Sequence, residues 1–202
     1  MPSIYDIKPA FQNLLRPLTR KLASTGVTAN QVTVSALLLS LLTGFVLVLC
    51  RQQTGVYLIV PLVMFIRMAL NAIDGMLARE HAMKSPLGAI LNELCDVISD
   101  AALYLPFALL PDISLWIVVV LVIAAIISEM TGVVAVQIGA SRRYDGPMGK
   151  SDRAFVFGAL ALALGLGMPP GSWLNELFGV VLLLTVATIY NRALRALDEV
   201  KS

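Results

Sequence analysis

Asn71, Asp74, Gly75, Ala78 and Arg79, followed by Gly88, Asn92 and Asp96, place two amides, two carboxylates and a guanidinium within one strongly apolar stretch. Carboxylates near hydrocarbon are expensive and seldom persist without a partner, an ion or a substrate. Asn71, Asp74 and Ala78 recur at i, i+3 and i+7, which puts them on one helical face. Asn92, Asp96 and Asp100 recur at i, i+4 and i+8 on a face of the next segment. Glu80 to Leu87, with Pro86 near its end, can turn the chain between them. Two antiparallel faces would then present amide and carboxylate oxygens to each other. Hard oxygen donors suit Mg²⁺ or Mn²⁺, whose shells are often completed by water and substrate phosphates. Gly75 and Gly88 would let a phosphorylated ligand approach the backbone, and Arg79 could clamp a phosphate oxygen. A polar cluster that only joins two helices accounts for one Asn–Asp pair, but not for both acids, both glycines and the arginine together.

The elements that must position these residues read as membrane spans. The 202 residues are 58% hydrophobic and 14% charged, with mean hydropathy +0.83. Six apolar segments run at about 30–50, 55–78, 87–110, 113–139, 153–169 and 173–191, each near the ~20 residues that cross hydrocarbon. The fifth is short and holds Gly158, Gly165 and Gly167, so a tilt or close packing on a neighbour is expected. Ahead of them, Ile4, Ile7, Phe11, Leu14, Leu15, Leu18 and Leu22 fall at helical spacing, with Lys8, Arg16, Arg20 and Lys21 largely off the stripe. That pattern predicts an amphipathic helix on the membrane surface, broken or kinked at Pro9 and Pro17. A helix packed on a partner is the alternative. Residues 1–29 lack the apolar core and cleavage site of a signal peptide.

The predicted fold is therefore an all-α integral membrane protein with six transmembrane helices plus the amphipathic helix. It is read as one domain over 1–202: a juxtamembrane segment 1–29, a six-helix bundle 30–191 and a cytoplasmic tail 192–202. Charge orients it. Lys8, Arg16, Arg20, Lys21, Arg79, Lys84, Arg142, Arg143, Lys150, Arg153, Arg192, Arg195 and Lys201 fall on one side of this topology, against Arg51 alone on the other. The positive-inside rule then places both termini in the cytoplasm, in the inner (cytoplasmic) membrane of the cell. A net charge of +2 gives no reason to expect nucleic acid. Cys50 and Cys95 provide no disulfide framework.

The motif resembles the signature of the CDP-alcohol phosphotransferase (CDP-alcohol phosphatidyltransferase) family, D-x2-D-G-x2-A-R-x8-G-x3-D-x3-D. Every spacing is kept, from Asn71 through Asp74, Gly75, Ala78, Arg79, Gly88 and Asn92 to Asp96. Thr28-Ala29-Asn30-Gln31-Val32-Thr33 resembles the family's entry to its first span, and Gly149-Lys150 its G-K ahead of the fifth. The resemblance implies transfer of a substituted phosphate from a CDP-linked donor such as CDP-diacylglycerol to an alcohol acceptor, with release of CMP, in phospholipid biosynthesis. It implies that Asn71, Asp74, Asn92 and Asp96 bind one or two ions of Mg²⁺ or Mn²⁺, with Asp96 as general base. Asp74, Gly75, Ala78, Arg79 and Gly88 would meet the nucleotide. Lys150, with Arg142, Arg143 or Arg153, would meet a charged acceptor. A homodimer is also implied, and the glycine-bearing later spans suit it.

Two of the family's four aspartates are Asn here, at 71 and 92, which keeps a carbonyl oxygen but removes a negative charge at each. An enzyme with one tight metal, an enzyme that recruits Asp100 or, with poorer geometry, Glu93 as an extra ligand, and an inactive scaffold that binds CDP-lipid all remain open at this point. A transporter would show inverted repeats or broken helices, and neither is visible. Arg67, at i−4 and i−7 from Asn71 and Asp74, is expected to pair with an acid across the bundle, with Glu129 as the candidate.

Overall fold

The computed structural model describes residues 4–201, with side chains from residue 9 onward. Every regular element among these residues is helical: α1 (Ile4–Ser24), α2 (Ala29–Leu49), α3 (Ile59–Glu80), α4 (Pro86–Tyr104), α5 (Leu115–Val134), α6 (Lys150–Gly165) and α7 (Trp173–Lys201). Short 3-10 turns precede α3 at Thr54–Leu58 and follow α4 and α5 at Leu105–Leu109 and Ala135–Ile138. The elements group into two compact units, Met1–Leu42 with Leu62–Ser99 and Thr43–Pro61 with Asp100–Ser202.

Four helices are long and apolar enough to cross a bilayer: Ala29–Leu49, Thr54–Glu80, Leu115–Ile138 and Trp173–Lys201. Between them, α4 carries Glu93, Asp96 and Asp100, and α6 has only 16 residues. Large apolar side chains such as Leu42, Phe45, Phe65 and Leu183 are more than half exposed. In water such a surface would be untenable; in lipid it is the solvent-matched face. The chain is an integral membrane protein.

In the first unit, Ala29, Val32, Ile73 and Leu77 form a buried cluster, against which Leu15, Leu22 and Ala23 of α1 pack. The apolar stripe of α1 therefore divides. Leu15 and Leu22 face α2 and α3, whereas Leu14 and Leu18 are exposed. Ile4 and Ile7 lie outside the described side chains. The helix does not break at Pro9 or Pro17: α1 continues through both. Each proline removes one i→i−4 hydrogen bond, but tertiary packing and Arg16, bonded to Glu80 at the end of α3 (Nη2 to Oε1, 3.0 Å), hold the helix in place.

The second unit has an aromatic core. Tyr104 stacks on Phe157 with centroids 3.9 Å apart, Phe157 on Phe178 at 5.5 Å, and Tyr57 meets Phe107 edge-on at 5.0 Å. The close packing expected of the short fifth span is present at Gly165, where a Cβ would lie 2.5 Å from the Leu58 side chain. Both cysteines are free thiols.

Candidate active site

The site is built where three helix ends of the first unit meet. Thr28 and Gln31 start α2 as a reciprocal cap: the Gln31 amide donates to Thr28 Oγ1 at 3.3 Å, and Gln31 Oε1 accepts from the Thr28 amide at 2.9 Å. Ser85 starts α4, its Oγ accepting the Gly88 N–H at 3.0 Å, with Pro86 in the first helical position, where its missing donor costs nothing. A Cβ at residue 88 would lie 2.7 Å from Asn30 Oδ1 and 3.0 Å from Ser85 Oγ. A side chain at 88 would thus displace the ends of Asn30 and Ser85 at the joint between α2 and α4. At Gly75 the nearest atoms to an added Cβ belong to the Arg79 guanidinium, at 3.3 Å and beyond. Arg79 folds back along its own helix over the bare Gly75 backbone.

These ends enclose a cavity of about 600 Å³ lined by Asp74, Gly75, Ala78, Arg79, Gly88 and Asn92, together with Asn30, Thr33, Lys84, Ser85 and Glu93. Six of the residues singled out by spacing thus share one wall. Asn71 and Asp96 do not line it. They sit one helical turn further from the α3–α4 connection, joined by a hydrogen bond from Asn71 Nδ2 to Asp96 Oδ1 of 3.1 Å. Asp74 is buried and accepts from Thr33 Oγ1 at 2.7 Å. Asp100, the preferred extra ligand, is buried outside the cavity lining, whereas Glu93 is in it. Among the described residues no group of three or more His, Cys, Asp or Glu side chains is gathered to hold a metal. The donor set is two carboxylates and two amides, as the Asn substitutions require.

Arg67 has a different partner from the one expected. Its Nη2 lies 3.7 Å from Asp96 Oδ1, within the first unit. Glu129 is engaged within the second unit, its Oε1 lying 2.8 Å from Arg153 Nη2 and 3.3 Å from Arg192 Nη1. Hydropathy alone could not choose among acids at similar depth; the i, i+4 turn between Arg67 and Asn71 brings the guanidinium to the acid that Asn71 already holds. The cations expected to meet an acceptor all lie in the second unit. Arg153 is almost wholly buried against Glu129 and the Met148 carbonyl, 2.8 Å from Nη1. Arg143 is bonded to Asp145 (Nε to Oδ2, 2.8 Å) and to Glu199. The Arg143 guanidinium, by hydrogen bonding, holds the Asp145 carboxyl below the usual carboxylate range. Arg142 lies over the Tyr144 ring, 4.9 Å from its centroid. Lys150 opens α6 directly after the Gly149 cap, whose N–H donates to Asp152 Oδ2 at 2.9 Å.

Spacing alone assigned no role to Thr33 or Asn30. The signal was present, because a threonine and an asparagine opening an apolar span have polar groups that must be satisfied by something opposite.

The family model for CDP-alcohol phosphatidyltransferase matches residues 26–190, from just before the Thr28 cap to near the end of the last span. The chain belongs to the CDP-alcohol phosphatidyltransferase family. It is 48% identical over 190 residues to Inner membrane protein YnbA of Escherichia coli (strain K12), covering 94% of each chain. It is 31% identical over 103 residues to the archaetidylinositol phosphate synthase of Pyrococcus horikoshii, covering 51% of this chain and 52% of that one. Among solved structures, Mycobacterium tuberculosis phosphatidylinositol phosphate synthase in complex with manganese and citrate superposes with a TM-score of 0.73 at 20% identity, over 92% of this chain and 88% of that one. The same enzyme with CDP-DAG bound gives 0.70 at 21% identity, over 92% of both chains. This family's fold is the fold of the present chain.

Proposed function

We propose that this protein transfers a phosphatidyl group from a CDP-diacylglycerol-type donor to an alcohol and releases CMP. The observation that carries the proposal is the single cavity in which Asp74, Gly75, Ala78, Arg79, Gly88 and Asn92 meet at the family's spacing. Arg79, lying over Gly75, would clamp the phosphate nearest cytidine, while Gly75 and Ala78 keep that wall low enough for the nucleotide. Asp96 would take the proton from the acceptor hydroxyl as general base. As it does so, the new oxygen–phosphorus bond to the phosphatidyl group forms and the bond to CMP breaks. Asn71 and Arg67, both directed at Asp96 Oδ1, would fix that carboxylate's orientation.

The donor set fits a hard divalent cation, Mg²⁺ or Mn²⁺, which Asp74 and Asp96 would hold through carboxylate oxygens and Asn71 and Asn92 through amide oxygens. Such an ion supplies positive charge to the donor diphosphate and the departing CMP. The manganese in the Mycobacterium tuberculosis enzyme and its binding of CDP-DAG support both assignments. For the acceptor, Lys150, with Arg142, Arg143 or Arg153, would meet a charged group such as a phosphate; Arg143 and Arg153 are also engaged by carboxylates.

We further propose six spans, with α4 and α6 joining the four longer ones, both termini cytoplasmic, α1 on the membrane surface, one domain, and a homodimer in the inner membrane. The lysine and arginine distribution supports the orientation, and the name of the Escherichia coli relative supports the membrane.

The test is CMP release from CDP-diacylglycerol by the purified protein with Mg²⁺ or Mn²⁺ and a pool of alcohols, including phosphorylated ones, with Asp96→Asn as control. Metal-dependent release that the control lacks establishes the transferase. Donor binding without release instead favours a CDP-lipid-binding scaffold, a reading that Asn71 and Asn92 keep in play.

A further inference from the structure

We infer that the C-terminal half of α7 sets the acceptor side of the enzyme: Thr188, Arg192 and Glu199 are positioning residues that hold residues 139–149 in one conformation and so place Arg142 and Lys150. This rests on the functional reading above, in which those cations meet the acceptor. Residues 139–149 join the 3-10 turn Ala135–Ile138 to α6 and contain no regular element. A connection of that kind ordinarily moves, but this one is fastened along its length. Ala140 N–H donates to Ala135 O at 3.1 Å, and Arg143 N–H donates to Gly132 O of α5 at 3.2 Å. Ser141 gives both its N–H and its hydroxyl to the Glu199 carboxylate, each at 2.9 Å, and the Arg143 guanidinium bonds to the same group. Asp145 O accepts from Arg192 Nε at 3.3 Å, and Met148 N–H donates to Thr188 Oγ1 at 2.9 Å.

Two glycines let the connection lie directly on the helices. A Cβ at Gly132 of α5 would stand 2.6 Å from Arg143 O, and one at Gly146 would stand 2.6 Å from Thr188 Cγ2 and 2.7 Å from its Cα. Gly146 also has φ +125°, which other residues rarely adopt. The placement of the bonds carries the inference. Ser141 and Arg143, on either side of Arg142, are both held by Glu199. Met148, two residues before Lys150, is held by Thr188 at its N–H and by Arg153 at its carbonyl. The backbone that carries each cation is therefore fixed beside it. A cation on a fixed backbone costs an incoming acceptor less ordering entropy than one on a mobile loop.

The experiment uses the full chain in detergent and begins with trypsin, which cuts after Arg142 and Arg143. Release of the C-terminal fragment is followed by mass spectrometry. In Glu199→Ala that cut should come ~10-fold faster than in the parent, the change in open population expected when hydrogen bonds to a charged group are lost. Thr188→Val, which removes the bond to Met148, should act in the same direction. CMP release is then measured while CDP-diacylglycerol is varied and, separately, while glycerol, sn-glycerol 3-phosphate, serine or inositol 1-phosphate is varied. In both variants the half-saturating concentration of the alcohol that supports release should rise ~10-fold, with that of CDP-diacylglycerol unchanged. Glu199→Gln keeps an oxygen for Ser141 and should fall between the parent and Glu199→Ala; it replaces the latter if that variant does not elute as one species. An unchanged rate of cutting in the Glu199 variant would overturn the hold. Faster cutting with an unchanged alcohol requirement, or with donor and alcohol affected equally, would overturn the acceptor role and leave a structural loop. No CMP release by the parent with any of the four alcohols would count against the functional reading itself, and the acceptor role would fall with it whatever trypsin shows.

Discussion

Asp96 in the first unit and Glu129 in the second are both carboxylates set beside arginines in a membrane protein, yet their surroundings differ in kind. Glu129 sits between Arg153 and Arg192. Those arginines also donate to backbone: Arg153 to the Met148 carbonyl, and Arg192 to Ser128 O at 2.6 Å and Asp145 O at 3.3 Å. One oxygen of Glu129 ties α5 to α6 and α7, and the loop joins them through the carbonyls of Asp145 and Met148. Asp96 is more exposed, its partners include the Asn71 amide and Arg67, and a turn away along α4 Asn92 lines a cavity. An ion cluster of this kind fixes helices; an acid beside an open cavity is placed to act on a substrate. Sequence hydropathy presents both as intramembrane acids, and only the partners tell them apart.

The sharpest way to break this contrast is to neutralise each acid and compare rate with stability. Asp96→Asn should lower CMP release by about 10²–10⁴-fold, the usual contribution of a general base, while the protein still elutes as a folded species. Glu129→Gln should do the reverse. Two buried guanidiniums would face each other without their counter-ion, costing about 3–5 kcal/mol of stability and lowering the melting temperature. The activity of whatever remains folded should stay within a few-fold of the parent. Equal loss of rate in both variants would erase the distinction between a working acid and a structural one.

Thr33 tests how far the working site extends beyond the motif. Its hydroxyl gives buried Asp74 a charge-assisted hydrogen bond. Replacing it with valine keeps the shape but removes that hydrogen bond. Groups that orient a ligand in this way are typically worth 10–100-fold in metal affinity. Thr33→Val should therefore weaken Mn²⁺ binding by about that factor, with a smaller effect on melting. If affinity does not change, Thr33 is only a helix-packing residue.

Much of this arrangement was legible in the sequence, for reasons that also explain the rest. Helical spacing at 71, 74 and 78 and at 92 and 96 is a local property, so faces and turn could be read directly. The apolar runs gave most helices to within a few residues, because span length is set by the bilayer; α7 instead continues past the predicted end at 191 to Lys201, where Arg192 and Ala196 are buried by tertiary packing that hydropathy does not register. What sequence could not supply was the partner of each charge. Arg67 was expected to reach Glu129 and instead faces Asp96; Asp100 was preferred over Glu93 on helical angle, yet Glu93 is the one in the cavity wall. Pairing depends on helix rotation and offset, which no periodicity encodes. The prolines of α1 misled for a related reason, since packing on α2 and α3 outweighs a local hydrogen-bond loss.

The outer layer of the second cluster should give the smallest effect and the cleanest pH signature. Asp145 presents its carbonyl to Arg192, while its carboxylate takes a bidentate pair of bonds from Arg143, Nε to Oδ2 at 2.8 Å and Nη2 to Oδ1 at 3.0 Å. Arg195 adds a favourable charge, and Glu199 competes for the same Arg143. The Arg143 hydrogen bond depresses the carboxyl in the folded protein below its unfolded value. A depressed acid contributes stability above the unfolded pKa, about 4, and that stability is lost as pH falls through the folded value. The parent should thus melt a few degrees higher than Asp145→Asn at neutral pH, and the gap should close as pH is lowered below about 4. Because the Arg192 contact uses the backbone carbonyl, Asp145→Asn leaves the inner cluster intact. A large loss of stability at neutral pH would therefore mean that the loop and the Glu129 cluster act as one unit rather than as a buried core with a titratable rim.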